Sequence, residues 1–235
     1  MLAAALAVIT AAKLHKKPEP PTVPAVPSTE GTSEAGYKSP KNFAALQKKN
    51  PDIYAWLEIP GTVVSYPVYQ REGDDKYYLR RDINGEYDIN GVLFTEGTYN
   101  KKDFSDAVNI IYGHSMTDGS MFGSLQIDYS SDAGLKKYSQ IIVYLPEREL
   151  HYTVFAAVPY DSRHILYNYD FENKRIFNLF IDNVLSVRDL QAHFNAEETA
   201  SYGEKVLILS TCLEGNRNRR FLVLARLNND EQNSN

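Results

Sequence analysis

Two apolar runs near the C-terminus limit the fold more than any other feature. Val206-Leu207-Ile208-Leu209-Ser210-Thr211-Cys212 is followed, eight residues on, by Arg220-Phe221-Leu222-Val223-Leu224. Runs of Val, Ile and Leu of this length have the composition of buried strands. The polar segment 213–219 between them carries Gly215 and reads as a loop. The expected order is strand, Cys at the strand end, loop, Arg at the start of the next strand. If the two strands are neighbours, a thiol and a guanidinium lie close together. A fixed cation there favours thiolate over thiol and can hold a developing oxyanion. The competing reading of a lone Cys on an apolar strand is a small buried hydrophobe. The polar Ser-Thr-Cys end of the first run weighs against it.

The 235 residues suffice for one large domain or two small ones. Seventeen Tyr, with many Val, Ile and Thr, favour a β-rich domain. A net charge of −5 supplies no basic field for nucleic acid. The single Cys excludes an internal disulfide and a Cys-based zinc site. The acidic residues are scattered, with no metal constellation and no phosphate loop, so neither metal nor cofactor is expected.

Residues 1–17 open with the apolar stretch MLAAALAVITAA, followed by Lys13, Lys16 and Lys17. Twelve apolar residues fall short of the roughly 20 that span a bilayer as a helix. The stretch reads as the remnant of a signal or anchor. Residues 18–38 hold Pro18, Pro20, Pro21, Pro24 and Pro27 among Ser, Thr, Glu and Gly, the composition of a semi-rigid spacer. An apolar segment, a spacer and then a folded domain is the layout of a protein held at a distance from a membrane.

The folded domain is assigned to 39–227, with a polar tail at 228–235. Ser39-Pro40-Lys41 predicts a helix capped by Ser39 and stopped at Asn50-Pro51. Strands are predicted at 53–59, 63–69, 91–94, 107–112, 140–145 and 150–158, besides the opening pair. Short helices are predicted at 118–125 and 131–138, and 160–169 reads as loop. Ile176, Phe177, Phe180, Ile181 and Val184 recur at helical spacing and predict an amphipathic helix over 171–187. About eight strands with short helical excursions indicate a closed barrel or a sandwich.

A cysteine nucleophile needs a base or a charge partner. Of the five His, only His114 stands at a strand end beside a Gly, which lets the backbone turn sharply and exposes the imidazole. Pattern alone does not choose among Arg217, Arg219 and Arg220 as the cation.

Gly113-His114, Leu209-Ser210-Thr211-Cys212 and Arg220-Phe221 resemble the signatures of sortases, the cysteine transpeptidases of Gram-positive cell surfaces. Trp56-Leu57-Glu58-Ile59-Pro60-Gly61-Thr62, Tyr66-Pro67-Val68, Tyr77-Tyr78-Leu79 and Gly91-Val92-Leu93-Phe94 are similar to sortases too. The N-terminal helix and the helix inserted before the Cys strand look like class B. The resemblance covers 39–227.

It implies a mainly β fold: a closed eight-stranded sortase-type β-barrel with an N-terminal helix and a helix before the penultimate strand. It also implies catalysis by Cys212, His114 and Arg220, the last chosen because the family's Arg directly precedes the apolar run. Ser210, Thr211, Tyr167 and Glu214 are the expected substrate contacts. The implied reaction cleaves a C-terminal sorting motif of secreted proteins after Thr. The acyl group then passes to an amine of the peptidoglycan cross-bridge, or to a pilin lysine. The implied location is the outer face of the cell membrane, with N-terminal anchoring and the catalytic domain facing the wall. Two rivals stand beside this reading. One is a cysteine endopeptidase that releases its product to water; the other is a non-enzymatic adhesion module with a structural thiol.

Overall fold

The computed structural model describes residues 37–195 and 197–228. The apolar segment 1–17, the spacer up to residue 36 and the tail from 229 lie outside the described residues. Among those described, no helix is long and apolar enough to cross a membrane.

Among the described residues, nine strands form one sheet: β1 (Ile53–Glu58), β2 (Ser65–Tyr69), β3 (Leu93–Phe94), β4 (Val108–Tyr112), β5 (Gln140–Tyr144), β6 (Glu149–Tyr160), β7 (His193–Phe194), β8 (Val206–Leu213) and β9 (Asn216–Leu227). The spatial order is β5-β1-β2-β3-β4-β8-β9-β6-β7, and β5 also pairs with the first half of β6. That extra pairing closes eight strands into a ring, which is the expected barrel. The two-residue β7 continues the β5 edge of β6 farther along, at Ala156 and Ala157. The β2–β3 and β4–β8 pairs are parallel; the others are antiparallel.

Side chains alternate across a strand, and the barrel separates them cleanly. Leu207, Leu209 and Leu213 of β8 join Phe221, Val223 and Ala225 of β9 in the interior cluster, with Phe122, Tyr129 and Tyr152. The outward residues Val206, Ile208, Leu222 and Leu224 form a second apolar layer. An amphipathic helix covers that layer with Phe177, Phe180, Ile181 and Val184. Its observed span is Lys174–Leu185, with Asn173 as its cap. A third cluster seats the N-terminal helix Phe43–Lys49 through Phe43 and Leu46 against Ile53 and Trp56.

Several local expectations are corrected. The N-terminal helix starts at Phe43, capped by Asn42, whose Oδ1 accepts from Ala45 N at 3.0 Å. Ser39 instead accepts from Lys41 N at 3.3 Å in the approach to the helix. The segment 118–125 is mostly turns, and a helix forms at Leu125–Asp128. The expected loop 160–169 holds the end of β6 and a one-turn helix, Ile165–Asn168, capped by His164. The expected loop 213–219 shrinks to the turn at Glu214-Gly215, with Gly215 at φ +73°. β9 begins at Asn216, and a bulge lies between the pairs Cys212↔Arg220 and Leu213↔Asn216. Five consecutive polar residues at 216–220 hide such a strand from a reading based on apolar runs. At the far end Asn228 still belongs to the barrel rim: its N–H donates to His151 O and its Oδ1 accepts from Thr153 Oγ1.

Candidate active site

Cys212 and Arg220 face each other across the β8–β9 ladder. Both take the outward parity of Ile208 and Leu222, so the pair stands on the barrel's outer wall rather than in its core. Arg220 Nη1 lies 4.0 Å from Cys212 Sγ. Arg219, the neighbouring candidate, turns away to Asp189, at 3.3 and 3.4 Å. Of these two arginines, the ladder brings Arg220 and not Arg219 to the thiol.

His114 follows the end of β4, which lies beside β8 in parallel register up to Tyr112↔Ser210. Its Nε2 is 2.8 Å from Leu79 O. A carbonyl only accepts, so Nε2 keeps its proton in both charge states of the ring. Nδ1 is then the nitrogen that gains and loses a proton. The Leu79 carbonyl is itself backed by Gly91, at φ +52°, where an added Cβ would come within 2.6 Å of the carbonyl oxygen.

Gly113 serves a purpose the sequence reading did not identify. A Cβ at this position would meet Leu93 Cδ2 at 2.4 Å and Phe122 Cδ2 at 2.6 Å. Its φ is not among the positive ones. Close approach of the β4 end to the barrel interior, rather than a sharp turn, therefore requires glycine here.

Cys212, His114 and Arg220 line one groove of about 320 Å³, with Ser210 and Thr211 on its floor. Lys76 and Leu79 also line it, as do Ser162 to Ile165 in the segment that follows β6. Thr211 is 2% exposed and shares the interior parity of Leu209 and Leu213. Its Oγ1 is buried without a hydrogen-bond partner. Tyr167 is 75% exposed and is not part of this lining. Glu214 borders a separate cavity of about 200 Å³ with Ser115, Met116, Ile127 and Leu213. Cys212 belongs to the lining of both cavities.

The sequence reading missed Glu96. This 5% exposed carboxyl lines the groove; its Oε2 is 2.7 Å from His164 Nε2, and Tyr112 donates a hydrogen bond to it. Burial pushes its pKa above the ordinary glutamate value, although His164 and Tyr112 oppose the shift. The same burial, with the Glu96 charge alongside, raises the Tyr112 phenol, while Arg220 pulls it down. His164 Nδ1 accepts from Tyr167 N at 3.1 Å, which leaves Nε2 as the nitrogen close to the carboxylate, although Glu96 Oε2 accepts no well-aligned hydrogen bond. An acidic residue two positions past the apolar pair Leu93-Phe94 was the only available signal. Among the described residues, no cluster of His, Cys, Asp or Glu is arranged to hold a metal ion.

No family model matches the chain. Individual relatives do. The chain is 26% identical to sortase B of Staphylococcus aureus over 187 residues, covering 79% of this chain and 74% of that protein. It is 28% identical to sortase B of Listeria monocytogenes over 178 residues, covering 71% of this chain and 65% of that protein. The barrel superposes on the Staphylococcus aureus sortase B–substrate complex with a TM-score of 0.69 at 25% identity, covering 81% of this chain and 86% of that one. A thiol paired with an arginine on the outer wall of a closed barrel, and relatives that match over most of the chain, lead to one conclusion: the chain belongs to the class B sortases, which are cysteine transpeptidases.

Proposed function

We propose that this sortase cleaves a C-terminal sorting motif of secreted proteins after Thr and passes the acyl group to an amine of peptidoglycan. The observation that carries the proposal is the Cys212–Arg220 opposition, 4.0 Å between Sγ and Nη1, in a groove that His114 also lines.

In the first step the Cys212 thiolate adds to the Thr carbonyl carbon. Arg220 holds the negative charge that develops on the oxygen. As the C–N bond breaks, Nδ1–H of His114 protonates the departing amine, and a thioester remains on Cys212. In the second step the incoming amine adds to the thioester carbonyl and gives its proton to Nδ1. The C–S bond then breaks and restores the thiolate. Departing and incoming amines occupy the same side of the acyl group. The cavity bordered by Glu214 supplies that side, and its carboxylate attracts an amine that arrives as ammonium and gives its extra proton to water before it adds. The main groove takes the motif itself: the Ser210 side chain, outward like Cys212, faces the peptide, and Thr211 contributes backbone. Tyr167 flanks the groove wall that His164 anchors. The enzyme acts at the cell surface, with segment 1–17 as the remnant of its N-terminal anchor.

The test is cleavage of fluorogenic peptides carrying Asn-Pro-x-Thr-Asn, Leu-Pro-x-Thr-Gly and Ser-Pro-x-Thr-Gly cores, with and without an amine acceptor. Cys212→Ala, His114→Ala and Arg220→Ala are run alongside. Cleavage of one core, lost in all three variants and redirected to an amide product by the amine, is the expected result. Cleavage that yields only the free acid at saturating amine makes the protein an endopeptidase. No cleavage of any core, together with an unreactive Cys212, returns the thiol to a structural role.

A further inference from the structure

β4 stops pairing with β8 at Ser210, where Gly113 N donates to Ser210 O at 3.1 Å. Backbone groups of alternate residues point to the same edge of a strand, so Cys212 and Glu214 present the next carbonyl and N–H on that edge. β4 is no longer there to meet them, because the chain has diverged towards His114. On the other edge, the bulge between Cys212 and Leu213 interrupts the β9 ladder at the same place. The nucleophile thus sits where both neighbouring strands loosen their hold.

One side chain fills the gap. Gln126, on the helix Leu125–Asp128, donates from Nε2 to Cys212 O at 3.2 Å and accepts at Oε1 from Glu214 N at 2.8 Å. Donating to residue 212 and accepting from residue 214 is what a parallel partner opposite Leu213 would do. The carboxamide stands in for the missing residue of β4. Its Nε2 also lies 3.3 Å from Ser115 Oγ, and Ser115 directly follows His114. A single planar group therefore ties the strand end bearing the thiol to the loop bearing the imidazole.

We propose that Gln126 is a positioning residue that sets the separation of Cys212 and His114. It touches neither substrate nor the reacting atoms in this arrangement; it acts through the backbone of Cys212 and the hydroxyl of Ser115. A displacement near 1 Å between reacting groups costs on the order of 100-fold in rate, so losing this clip is expected to lower turnover by about 10- to 100-fold.

The proposal rests on the sortase reading of Cys212 and His114, and its test has a readout that does not depend on any peptide. Gln126→Met keeps the side-chain volume and removes all three hydrogen bonds; Gln126→Glu keeps the acceptor for Glu214 N and loses the donor to Cys212 O. Each is compared with the wild type by thermal melting, by peptide turnover and by the rate of Cys212 alkylation with iodoacetamide at neutral pH. The expected result is lower kcat with peptide KM within about twofold, slower alkylation, and a smaller loss in Gln126→Glu than in Gln126→Met. Folded variants with wild-type kcat and wild-type alkylation would overturn it. So would a lowered melting temperature with both rates unchanged, since that is the signature of a merely structural residue. If no peptide is cleaved even by the wild type, the catalytic reading fails while the alkylation rates still decide whether Gln126 governs the thiol.

Discussion

Gly113→Ala tests how tightly the barrel interior presses on His114, the proposed acid and base. Carbon atoms in contact prefer about 3.5–4.0 Å, whereas the new methyl would lie 2.4 Å from Leu93 Cδ2 and 2.6 Å from Phe122 Cδ2. Relief needs a shift near 1 Å. Neither neighbour yields easily, for Phe122 is fully buried and Leu93 nearly so. Overpacking of this kind costs about 1–3 kcal/mol, which for a domain of this size lowers the melting temperature by roughly 2–12 °C. Part of the shift falls on His114, the next residue, and lowers kcat, by at most about 100-fold if the whole 1 Å falls there. Scanning calorimetry and peptide turnover read the two effects. Leu93→Val removes the Cδ2 methyl, so the double variant should be more stable than the sum of the single effects by about 0.5–3 kcal/mol. A Gly113→Ala protein with unchanged melting temperature and unchanged kcat, or a strictly additive double variant, would refute the packing account.

Three further outcomes are expected. Arg220→Lys keeps the charge but loses the planar fork, and kcat/KM in the peptide assay should fall about 100- to 1000-fold. Arg219→Ala, which breaks only the partly exposed pair with Asp189, should stay within about twofold of wild type in the same assay and lose at most ~1 kcal/mol in chemical denaturation. Glu96 has a raised pKa in the folded protein, so its contribution to stability is present below the ordinary glutamate value and is lost as pH rises through the raised one. Melting temperatures of wild type and Glu96→Gln, measured from about pH 4 to 7, should show the wild type losing ground to the variant as pH increases; parallel curves would remove the buried-charge account.

The barrel was legible wherever an apolar run was unbroken. Val206 to Leu209 of β8 and Phe221 to Ala225 of β9 are such runs, Asn109 alone interrupts the one in β4, and the stripe of Phe177, Phe180, Ile181 and Val184 marked the covering helix. The start of β9 was not legible, because Asn216, Asn218 and Arg219 are polar and a bulge breaks the alternation. Ser39-Pro40 carried a valid helix-start signal, but Asn42 is nearer the apolar residues Phe43 and Leu46 and captured the cap. At the site, Cys212 and His114 were singled out because each closes a recognisable apolar run, whereas Arg220 lies inside β9 and was taken from the resemblance, since pattern alone left Arg217 and Arg219 open. Glu96 and Gln126 were not found, since each acts through a partner distant in sequence: His164 for one, Cys212 and Glu214 for the other. The role of Gly113 was misread for a related reason, because the side chains that exclude a Cβ come from Leu93 and Phe122 in other segments.

The order of pairings around the ring also sets when the enzyme becomes competent. β8 and β9 form a hairpin, so the thiol and the guanidinium meet through a local event with little loop entropy to overcome. The imidazole arrives differently. β4 reaches β8 only by a parallel pairing of Val108 with Val206, roughly a hundred residues apart in sequence, and contacts of such long range form late and slowly. On the proposed mechanism, a chain still assembling its barrel, or one opened locally at β4, carries the Cys212 thiol without His114 beside it. Such a chain is expected to be alkylated but not to turn over, so that catalytic power would report on closure of the whole ring.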